Sequence, residues 1–468
     1  MSVAASRQTI ALALGDALGF AVAAVAAWAA KRLEDPLLVS EPYVLALVLL
    51  VPVQVLVLAG RGLYPGLGLG AAEELRRLSG GTTLVMLLAV ALTFATKEGE
   101  AWSRQVLMTT WALALVALPL IRAAVRRGFA RLGWWGIPCL VLGAGATGAE
   151  VVRLLQTRPW LGLRPVAVLD DDPARIGSQV HALTVDGPVV EASRRLAADR
   201  AIDHAILAMP GLPPERMSAL IDALAGHLRH LTIAPALPGC PELIAQTREY
   251  ANTLALEVRH NLLMPSARLI KRTLDLVVAG LLLIGLSWLF ALLVLLVRAT
   301  SRGPAFYGQP RIGRERRPLR AWKFRSMVAD ADAVLARHLA AHPELRAEWE
   351  RDHKLRDDPR VTTLGRFLRR SSLDELPQLW NVLIGEMSLV GPRPIVEAEV
   401  AKYGDRFALY AKVRPGLSGL WQVSGRNDTT YAERVALDCY YVRNWSVWLD
   451  LVIIARTVRV VVAGRGAY

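Results

Sequence analysis

The chain has 468 residues, enough for two or three domains, with a formal net charge of +14 at pH 7. Its mean hydropathy of +0.34 is high for a soluble protein that is also 21% charged, so apolar residues must be concentrated in particular segments. The charge fits either nucleic acid or an anionic membrane surface with phosphate-bearing substrates. Since no RNA-binding or helix-turn-helix signature is visible, we expect membrane lipids, and no nucleic acid, as partners.

Four apolar runs, of which the third is the shortest, occupy the N-terminal part: about Ile10–Ala30, Tyr43–Ala59, Thr82–Ala95 and Val106–Ile121. A span of the hydrocarbon layer takes roughly 20 residues. Arginines are concentrated between the second and third runs and after the fourth, and positive charge marks the cytoplasmic side. We therefore predict a domain of four transmembrane helices over residues 1–131, with both ends in the cytoplasm.

Residues 136–258 show strand-like runs that alternate with helical segments. The runs cover residues 138–142, 165–169 and 205–209. This alternation predicts a doubly wound, Rossmann-like α/β domain with a parallel sheet. Three widely spaced cysteines in the chain form no metal or disulfide pattern, which is typical of reduced thiols facing a cytosol.

A glycine-rich turn follows the first strand of this domain. Gly143, Gly145 and Gly148 suit a close approach of phosphate to backbone N–H groups at a helix start, and Asp170 lies near the place of a ribose contact. Without a Tyr-x-x-x-Lys pair, the sequence favours a domain kept for packing and dimerisation. A regulatory nucleotide pocket and active redox chemistry stay open.

The third segment, residues 265–468, begins with an apolar helix at about 268–298. The helix is long enough to span, yet both of its flanks are strongly basic, and basic flanks belong on the cytoplasmic side. We therefore predict a helix that enters and leaves by the same membrane face. An ordinary fifth span is the alternative.

Two adjacent carboxylates, Asp374 and Glu375, stand between arginine clusters that precede and follow them. Cations hold phosphoryl oxygens, while a carboxylate attacks phosphorus or holds a divalent metal. Ser371 and Ser372 also make the pair an ordinary helix start, but the arginines favour an enzyme acting on a phosphorylated substrate. At a helix N-terminus, we expect the acids to have a lowered pKa and to stay ionised. The glycine-rich run Val413–Arg426 reads as an anion-binding loop.

Together these residues resemble the polyprenol-phosphate phosphoglycosyl transferases, the bacterial sugar transferase superfamily. The resemblance covers nearly all of residues 265–468, and its motifs are Lys323–Met327, Leu373–Asn381, Ser388–Pro394, Arg414–Arg426 and Leu437–Asn444. The whole chain looks most like the large subgroup typified by the undecaprenyl-phosphate galactose phosphotransferases. That subgroup combines four membrane spans, a nucleotide-fold domain and a monotopic, helix-rich catalytic domain.

The resemblance implies transfer of a hexose 1-phosphate from a UDP-sugar to undecaprenyl phosphate, with release of UMP, through a covalent aspartyl intermediate. UDP-galactose is the expected donor and UDP-glucose the alternative, because no motif identifies contacts to the sugar hydroxyls. The step would begin O-antigen, capsule or exopolysaccharide synthesis. It would take place at the bacterial inner membrane, with the catalytic and nucleotide-fold domains on the cytoplasmic side and the protein a homodimer.

In this resemblance Asp374 matches the nucleophile, Glu375 the glutamate implicated with Mg²⁺, and Asp438 a further family acid. The resemblance therefore predicts magnesium at these three carboxylates. The residues expected to bind substrate phosphate are Lys323, Arg325, Arg360, Arg366, Arg393, Arg414 and Arg426.

One departure concerns the re-entrant helix, which the family breaks at a Ser-Pro pair. The equivalent place here is Ser287-Trp288, and tryptophan does not kink a helix as proline does. Gly280 and Gly285 permit a bend, and Ser287 can bond backward to a carbonyl.

Two other functions remain open. A membrane-anchored NAD(P)-dependent sugar-nucleotide enzyme would use the glycines at residues 143–148. A non-catalytic scaffold for polysaccharide assembly would not need Asp374.

Overall fold

Two compact units, Met1–Pro241 and Glu242–Tyr468, make up the computed structural model. The structure describes residues 3–36, 41–95, 103–200, 202–225, 227–234, 245–250, 253–258, 262, 264–328, 330–342, 358–424 and 430–463. The first unit contains both the N-terminal helices and the α/β domain. The segment at residues 245–258, which we expected to end the α/β domain, belongs to the second unit.

Four helices open the first unit: α1 (Val3–Glu34), α2 (Glu41–Gly60), α3 (Ala71–Ala95) and α4 (Arg104–Phe129). Among the described residues, α1, α3 and α4 contain stretches long and apolar enough to cross a membrane, and the apolar part of α2 is shorter, Val48–Gly60. The third run is longer than its apolar residues indicated, because the polar residues before Thr82 continue the same helix. Large apolar side chains such as Leu14 and Leu56 stay exposed, as on helices surrounded by lipid.

Buried arginines of α4 join these helices to one another. Arg122 donates to Asp16 of α1 and to Glu74 of α3, each at 2.5 Å, and both Arg122 and Asp16 are almost fully buried. Arg126, one turn later, donates to Glu74 and, at 2.7 Å, to the carbonyl of Trp160 in the α/β domain. The network therefore connects the apolar helices to the α/β domain within the first unit.

The α/β domain is built on a parallel sheet, as the alternation predicted. The elements are β1 (Ile137–Leu142), α5 (Ala146–Thr157), β2 (Leu163–Leu169), β3 (Gln179–Val180), β4 (Leu183–Thr184), α6 (Val189–Arg200), β5 (His204–Leu207), α7 (Pro214–Ala225) and β6 (His230–Ile233). The strands of the sheet are ordered β2-β1-β5-β6, and the short β3 and β4 form a separate pair.

The second unit combines short helices with three two-stranded sheets. Its first half holds β7 (Ala245–Tyr250), β8 (Thr253–Val258), α8 (Pro265–Gly285), α9 (Ser287–Thr300), β9 (Phe306–Ile312), β10 (Pro318–Phe324) and α10 (Ala331–Ala341). Its second half holds α11 (Thr363–Arg370), α12 (Gln378–Ile384), β11 (Ser388–Val390), α13 (Glu397–Tyr403), α14 (Phe407–Tyr410), β12 (Gly416–Ser418), α15 (Leu420–Ser424), α16 (Tyr431–Asn444) and α17 (Val447–Ala463).

Helices α8 and α9 form one apolar pair bent by 62°. Leu286 leaves helical geometry at the bend, and the Ser287 hydroxyl donates to the Ile284 carbonyl at 2.8 Å, the backward bond that the sequence indicated. Glycine and serine are common causes of such a kink, so proline is not needed here. Leu281 and Trp288 remain exposed on either side of the bend.

Replacing Arg122 by leucine should strongly destabilise the first unit. The change leaves the Asp16 carboxylate without its cation and Glu74 with Arg126 alone, and loss of one partner of a buried ion pair costs about 3–5 kcal/mol. The apparent melting temperature of detergent-purified protein measures the effect. Arg127→Leu removes an exposed arginine of the same helix and should change it little. Equal shifts for both variants would contradict this account.

Candidate active site

Asp374 and Glu375, which we call the dyad, lie in a short 3-10 turn, Leu373–Glu375, between α11 and α12. Ser372 enters the turn with φ at +56°, a left-handed conformation. Leu373 and Leu376, which flank the acids, pack against the apolar cluster that α9 forms with Phe324. Because these leucines are held by the core, the dyad has a fixed position on the bent helix pair.

Lys323 is the nearest cation to the dyad. Its Nζ lies 2.6 Å from Oε1 of Glu375 and 3.9 Å from Oδ2 of Asp374. Lys323 belongs to β10, which pairs antiparallel with β9. One ammonium group therefore contacts both carboxylates, and its position is set by a strand rather than by a loop.

A cleft that is open to solvent lies beside the two acids. Its lining residues are Gln309, Arg311, Ala321, Lys323, Glu375, Gln378, Arg393, Pro394, Gly416, Leu417 and Gln422. Three cations line it with one carboxylate, a balance that suits a polyanionic phosphate substrate. Asp374 is not among the lining residues; it is buried next to the cleft and 7% exposed.

The environment separates the pKa values of the two acids. Burial raises the pKa of Asp374 to about 6, and the neighbouring Glu375 adds to this, while Lys323 and Arg369 oppose it. Burial also acts to raise the pKa of Glu375, but Lys323 and Arg393 outweigh it and hold that pKa below its usual range. The expectation of a lowered pKa for both acids is therefore wrong for Asp374, because the turn buries its carboxyl.

Asn381 fastens the dyad segment to the strand that carries Lys323. Its amide oxygen accepts the Trp322 N–H at 3.1 Å, and its amide nitrogen donates to the Arg320 carbonyl at 2.8 Å and to Glu386 at 2.6 Å. Its side chain is fully buried. The asparagine of the Leu373–Asn381 motif thus positions Glu375 and Lys323 relative to each other.

Two glycines let the loops of the cleft approach closely. β11 and β12 pair in parallel, and a Cβ at Gly391 would lie 2.8 Å from both the Arg414 carbonyl and the Gly416 nitrogen. A side chain at Gly416 would meet the Gly391 backbone in turn. At Gly391 and Gly416 the two backbones therefore pack directly against each other. Arg393, two residues after Gly391, lines the cleft.

Two of the predicted phosphate ligands point elsewhere. The Arg325 guanidinium donates to the carbonyl and hydroxyl oxygens of Ser301, so it fastens β10 to the end of α9. Arg414 donates to the Gly385 carbonyl at 2.6 Å and lines a different cavity. Neither is among the residues that line the cleft. The motif arginines were read as one set because sequence spacing does not show which side of a strand or loop each one occupies.

Three further predicted ligands also lie outside the cleft lining or outside the described residues. Arg360 forms a forked contact with Asp358. Arg366 is exposed on α11. Arg426 lies outside the described residues. Of the predicted phosphate ligands, the structure therefore brings Lys323 and Arg393 to the cleft.

Asp438 does not join the dyad. It is 2% exposed in α16, and it accepts the Tyr403 hydroxyl at 2.7 Å within an apolar cluster. Burial raises its pKa to about 7, although Tyr403 and Arg434 oppose the shift. Within the described part of the chain, no group of three or more acidic, histidine or cysteine side chains is placed to hold a metal. The predicted three-carboxylate magnesium set is therefore not formed.

The predicted phosphate ligands left out two arginines at this site. Arg311 lines the cleft, and its charge helps to hold the pKa of Glu375 down. It lies on the same face of the β9–β10 hairpin as Lys323, so the alternation of strand residues was the available signal. Arg369 donates to Ser326 at 2.9 Å, and its charge lowers the pKa of Asp374.

In the α/β domain, the predicted nucleotide residues lie together. Gly143 has a φ of +113°, and Gly145 is the N-cap residue of α5. Gly148 packs so closely on the Gly143 carbonyl that a side chain would clash. Asp170 accepts the Ala144 N–H at 2.7 Å, so its carboxylate ties down the glycine turn itself.

Arg175 also contacts this turn. Its guanidinium is 3.2 Å from Asp170, and it would lie 3.4 Å from a Cβ at Gly145. The ribose contact that we expected of Asp170 thus competes with bonds that the carboxylate already makes within the protein.

Comparison with known proteins gives two family matches: bacterial sugar transferase over residues 266–464 and CoA-binding domain over residues 61–235. The chain is 38% identical to the UDP-galactose-lipid carrier transferase of Erwinia amylovora, over 82% of this chain and 81% of that protein. It is 38% identical to the undecaprenyl-phosphate galactose phosphotransferase of Salmonella typhimurium, over 84% and 82%. An Escherichia coli UDP-glucose:undecaprenyl-phosphate glucose-1-phosphate transferase is 30% identical, over 86% and 84%.

Asn381→Leu should loosen the site while keeping the number and branching of the side-chain heavy atoms. The change leaves the Trp322 N–H and the Arg320 carbonyl without their partner, at about 1–3 kcal/mol for each buried group. We expect a lower melting temperature of the purified protein and a loss of activity together. Leu383→Asn makes the opposite exchange on the same helix and serves as the control. It should reduce activity less than Asn381→Leu does. Full activity in Asn381→Leu would contradict the positioning role.

Proposed function

Because the chain belongs to the bacterial sugar transferase family, we propose that it transfers a hexose 1-phosphate from a UDP-sugar to undecaprenyl phosphate and releases UMP. The donor is UDP-galactose, after the two relatives whose names include galactose, and UDP-glucose is the alternative. The observation that carries the proposal is the contact of Lys323 with both a buried Asp374 and a partly exposed Glu375, beside a cleft lined by cations.

The cleft provides charge neutralisation for the donor. Arg311, Lys323 and Arg393 hold the diphosphate, because an anionic nucleophile cannot approach phosphorus until the oxygens around it are neutralised. The ionised Asp374 carboxylate then attacks the phosphorus that carries the sugar. The bond between the two phosphoryl groups breaks, and UMP leaves.

The second half of the reaction regenerates the carboxylate. A phosphate oxygen of undecaprenyl phosphate attacks the same phosphorus, and the bond to Asp374 breaks. The product is the undecaprenyl diphosphate hexose. Such a product begins a lipid-linked glycan, which supports a first step in O-antigen, capsule or exopolysaccharide synthesis.

Magnesium is part of the proposal, with a smaller ligand set than the sequence indicated. Asp374 and Glu375 are adjacent oxygen donors, and Mg²⁺ usually takes one or two carboxylates together with substrate phosphates, so the dyad fits it without Asp438. When bound there, the ion would neutralise charge on the phosphates.

The membrane arrangement follows from the bent helix pair. Both ends of α8–α9 are basic, the two helices turn through 62°, and their large apolar residues are exposed. We propose that the pair enters and leaves by the cytoplasmic face of the bacterial inner membrane, and that the N-terminal domain contributes four spans. Because α9 also packs beneath the dyad, the cleft then lies at the membrane surface where the acceptor phosphate is found.

The α/β domain has no step in this chemistry. Asp170 and Arg175 occupy its glycine turn, which favours the packing role over a redox role. A regulatory nucleotide remains a prediction of the glycine-rich turn, and a homodimer remains a prediction of the resemblance.

Asp374→Asn should abolish UMP release and also the labelling of the enzyme by a UDP-sugar that carries ³²P at the sugar phosphate. An amide cannot form the acyl phosphate, so both readouts should vanish together. Asp405→Asn changes an exposed aspartate of the same unit and should keep both activities. Labelling of Asp374→Asn at the level of the unchanged protein would overturn the assignment of the nucleophile.

The rate should fall as the pH decreases through about 6, because protonation of Asp374 removes the nucleophile. Lys323 lowers this pKa, so Lys323→Gln should move the acid limb of the pH–rate profile to higher pH, in addition to reducing the rate. Lys323→Arg keeps the charge and should leave the limb near its original position. If the acid limb of the pH–rate profile did not shift in Lys323→Gln, the proposed effect of Lys323 on Asp374 would be contradicted.

Single cysteines at Ser266 and Arg302 should both react from the cytoplasmic side. These exposed residues lie just inside and just beyond the two ends of the bent pair, and the native cysteines would first be replaced by serine. A membrane-impermeant thiol reagent is added to intact spheroplasts and to inverted vesicles. Labelling of the two positions from opposite sides would show a spanning helix.

A further inference from the structure

A second cavity, open to solvent, lies at the first turns of α8. Its lining residues are Leu262, Arg268, Lys271, Asp275, Arg314, Ser388, Val390, Lys412, Val413 and Arg414. None of these residues lines the cleft beside the dyad. The chemistry proposed above does not use this cavity, so its charge calls for a separate explanation.

The floor of the cavity is a rigid, buried ion network. Lys271 lies 3.0 Å from Asp275 and 2.9 Å from Asp450, and all three side chains are at least nine-tenths buried. Asp275 also accepts the Ser388 hydroxyl at 2.7 Å and the Leu389 N–H at 3.1 Å. These carboxylates are satisfied by the protein itself, so they do not neutralise the rest of the cavity.

The rim of the cavity carries four cations: Arg268, Arg314, Lys412 and Arg414. Arg314 pairs with Glu315 at 3.2 Å. In the described ranges, no carboxylate lies within ion-pair distance of the other three; Arg268 and Arg414 donate only to backbone carbonyls. The cavity therefore concentrates positive charge that an anion would compensate.

Electrostatics at Arg414 agree with this excess of charge. Burial lowers the pKa of Arg414, and Arg314 and Arg272 lower it further. Arg272 also belongs to this region: it donates to the Val382 and Leu383 carbonyls, next to the Gly385 carbonyl that Arg414 uses. The C-terminal end of α12 thus orients both guanidinium groups.

The cavity also adjoins an apolar surface. Leu269 and Ile270, which follow Arg268 in α8, are 69% and 52% exposed. Val277 and Leu281 continue the exposed apolar residues toward the bend. Cations at the base of an apolar helix surface stand at the level of lipid headgroups. A free phosphate ion would make no favourable contact with Leu269 and Ile270, whereas acyl chains would bury these side chains.

We propose that this cavity binds the phosphate diester of an anionic phospholipid, separately from the phosphates that the enzyme transfers. Arg268, Lys412 and Arg414 contact the phosphate oxygens, and the acyl chains lie along the exposed face of α8. The bound lipid fixes the base of the bent helix pair at the membrane surface.

Native mass spectrometry of the full-length protein in detergent tests the proposal. The protein is titrated in parallel with phosphatidylglycerol, phosphatidylcholine and water-soluble glycerol 3-phosphate. We expect one phosphatidylglycerol to bind more tightly than either other probe. The variant Arg268→Gln/Lys412→Gln should weaken that binding about fivefold for each charge removed, the size of one surface cation's contribution to attraction by an anionic membrane.

The control variant, Arg298→Gln/Arg302→Gln, removes the same number of exposed arginine or lysine charges at the other end of the bent pair. It should keep the tight phosphatidylglycerol. Equal affinity for phosphatidylglycerol and phosphatidylcholine, or equal weakening by both variants, would overturn the proposal. Glycerol 3-phosphate binding as tight as the lipid would overturn the lipid source and leave a soluble phosphate ester as the ligand.

UMP release separates this inference from the proposed function. The Arg268→Gln/Lys412→Gln variant should keep its KM for undecaprenyl phosphate and for the UDP-sugar, since neither residue lines the catalytic cleft. A raised KM for undecaprenyl phosphate would instead assign the cavity to the acceptor and overturn a separate lipid site.

Discussion

The site depends on keeping two adjacent, largely buried carboxylates close to the cation that contacts both. Lys323 meets this requirement from β10, and Asn381 holds that strand to the helix that follows the acids. Without the cation, burial would push both acids toward their neutral forms, and an uncharged Asp374 could not act as the proposed nucleophile. The apolar contacts of α9 with Leu373 and Leu376 then tie the turn that holds both acids to the bent apolar helix pair α8–α9.

Much of the fold was open to prediction because its signals are local. Alternating strands and helices predicted the parallel sheet, and the apolar runs predicted the N-terminal helices. The length of α3 was underestimated because polar residues before Thr82 continue the helix, and hydropathy alone does not register them. The bend at Leu286 forms without proline, through the Ser287 hydroxyl, as its sequence neighbourhood indicated.

The site was harder to predict, because a cation's role depends on the direction of its side chain. The motifs identified Asp374, Glu375 and Lys323 together, and the structure brings them together. Arg325 and Arg414 come from equally suggestive motifs but bond to backbone oxygens outside the cleft. Asp438 is also separated from the dyad, because α16 directs its side chain toward an apolar cluster. The raised pKa of Asp374 follows from burial, which spacing along a chain does not reveal.

The central claim is that this cationic cleft serves transfer of a sugar phosphate to a lipid phosphate. UMP release by purified protein in nanodiscs, with magnesium and with or without undecaprenyl phosphate, tests it most directly. UDP-galactose and UDP-glucose would be supplied separately. The account predicts sustained release with UDP-galactose that requires the lipid phosphate, and little with UDP-glucose. No lipid-dependent release from any member of a wider UDP-sugar panel would contradict it.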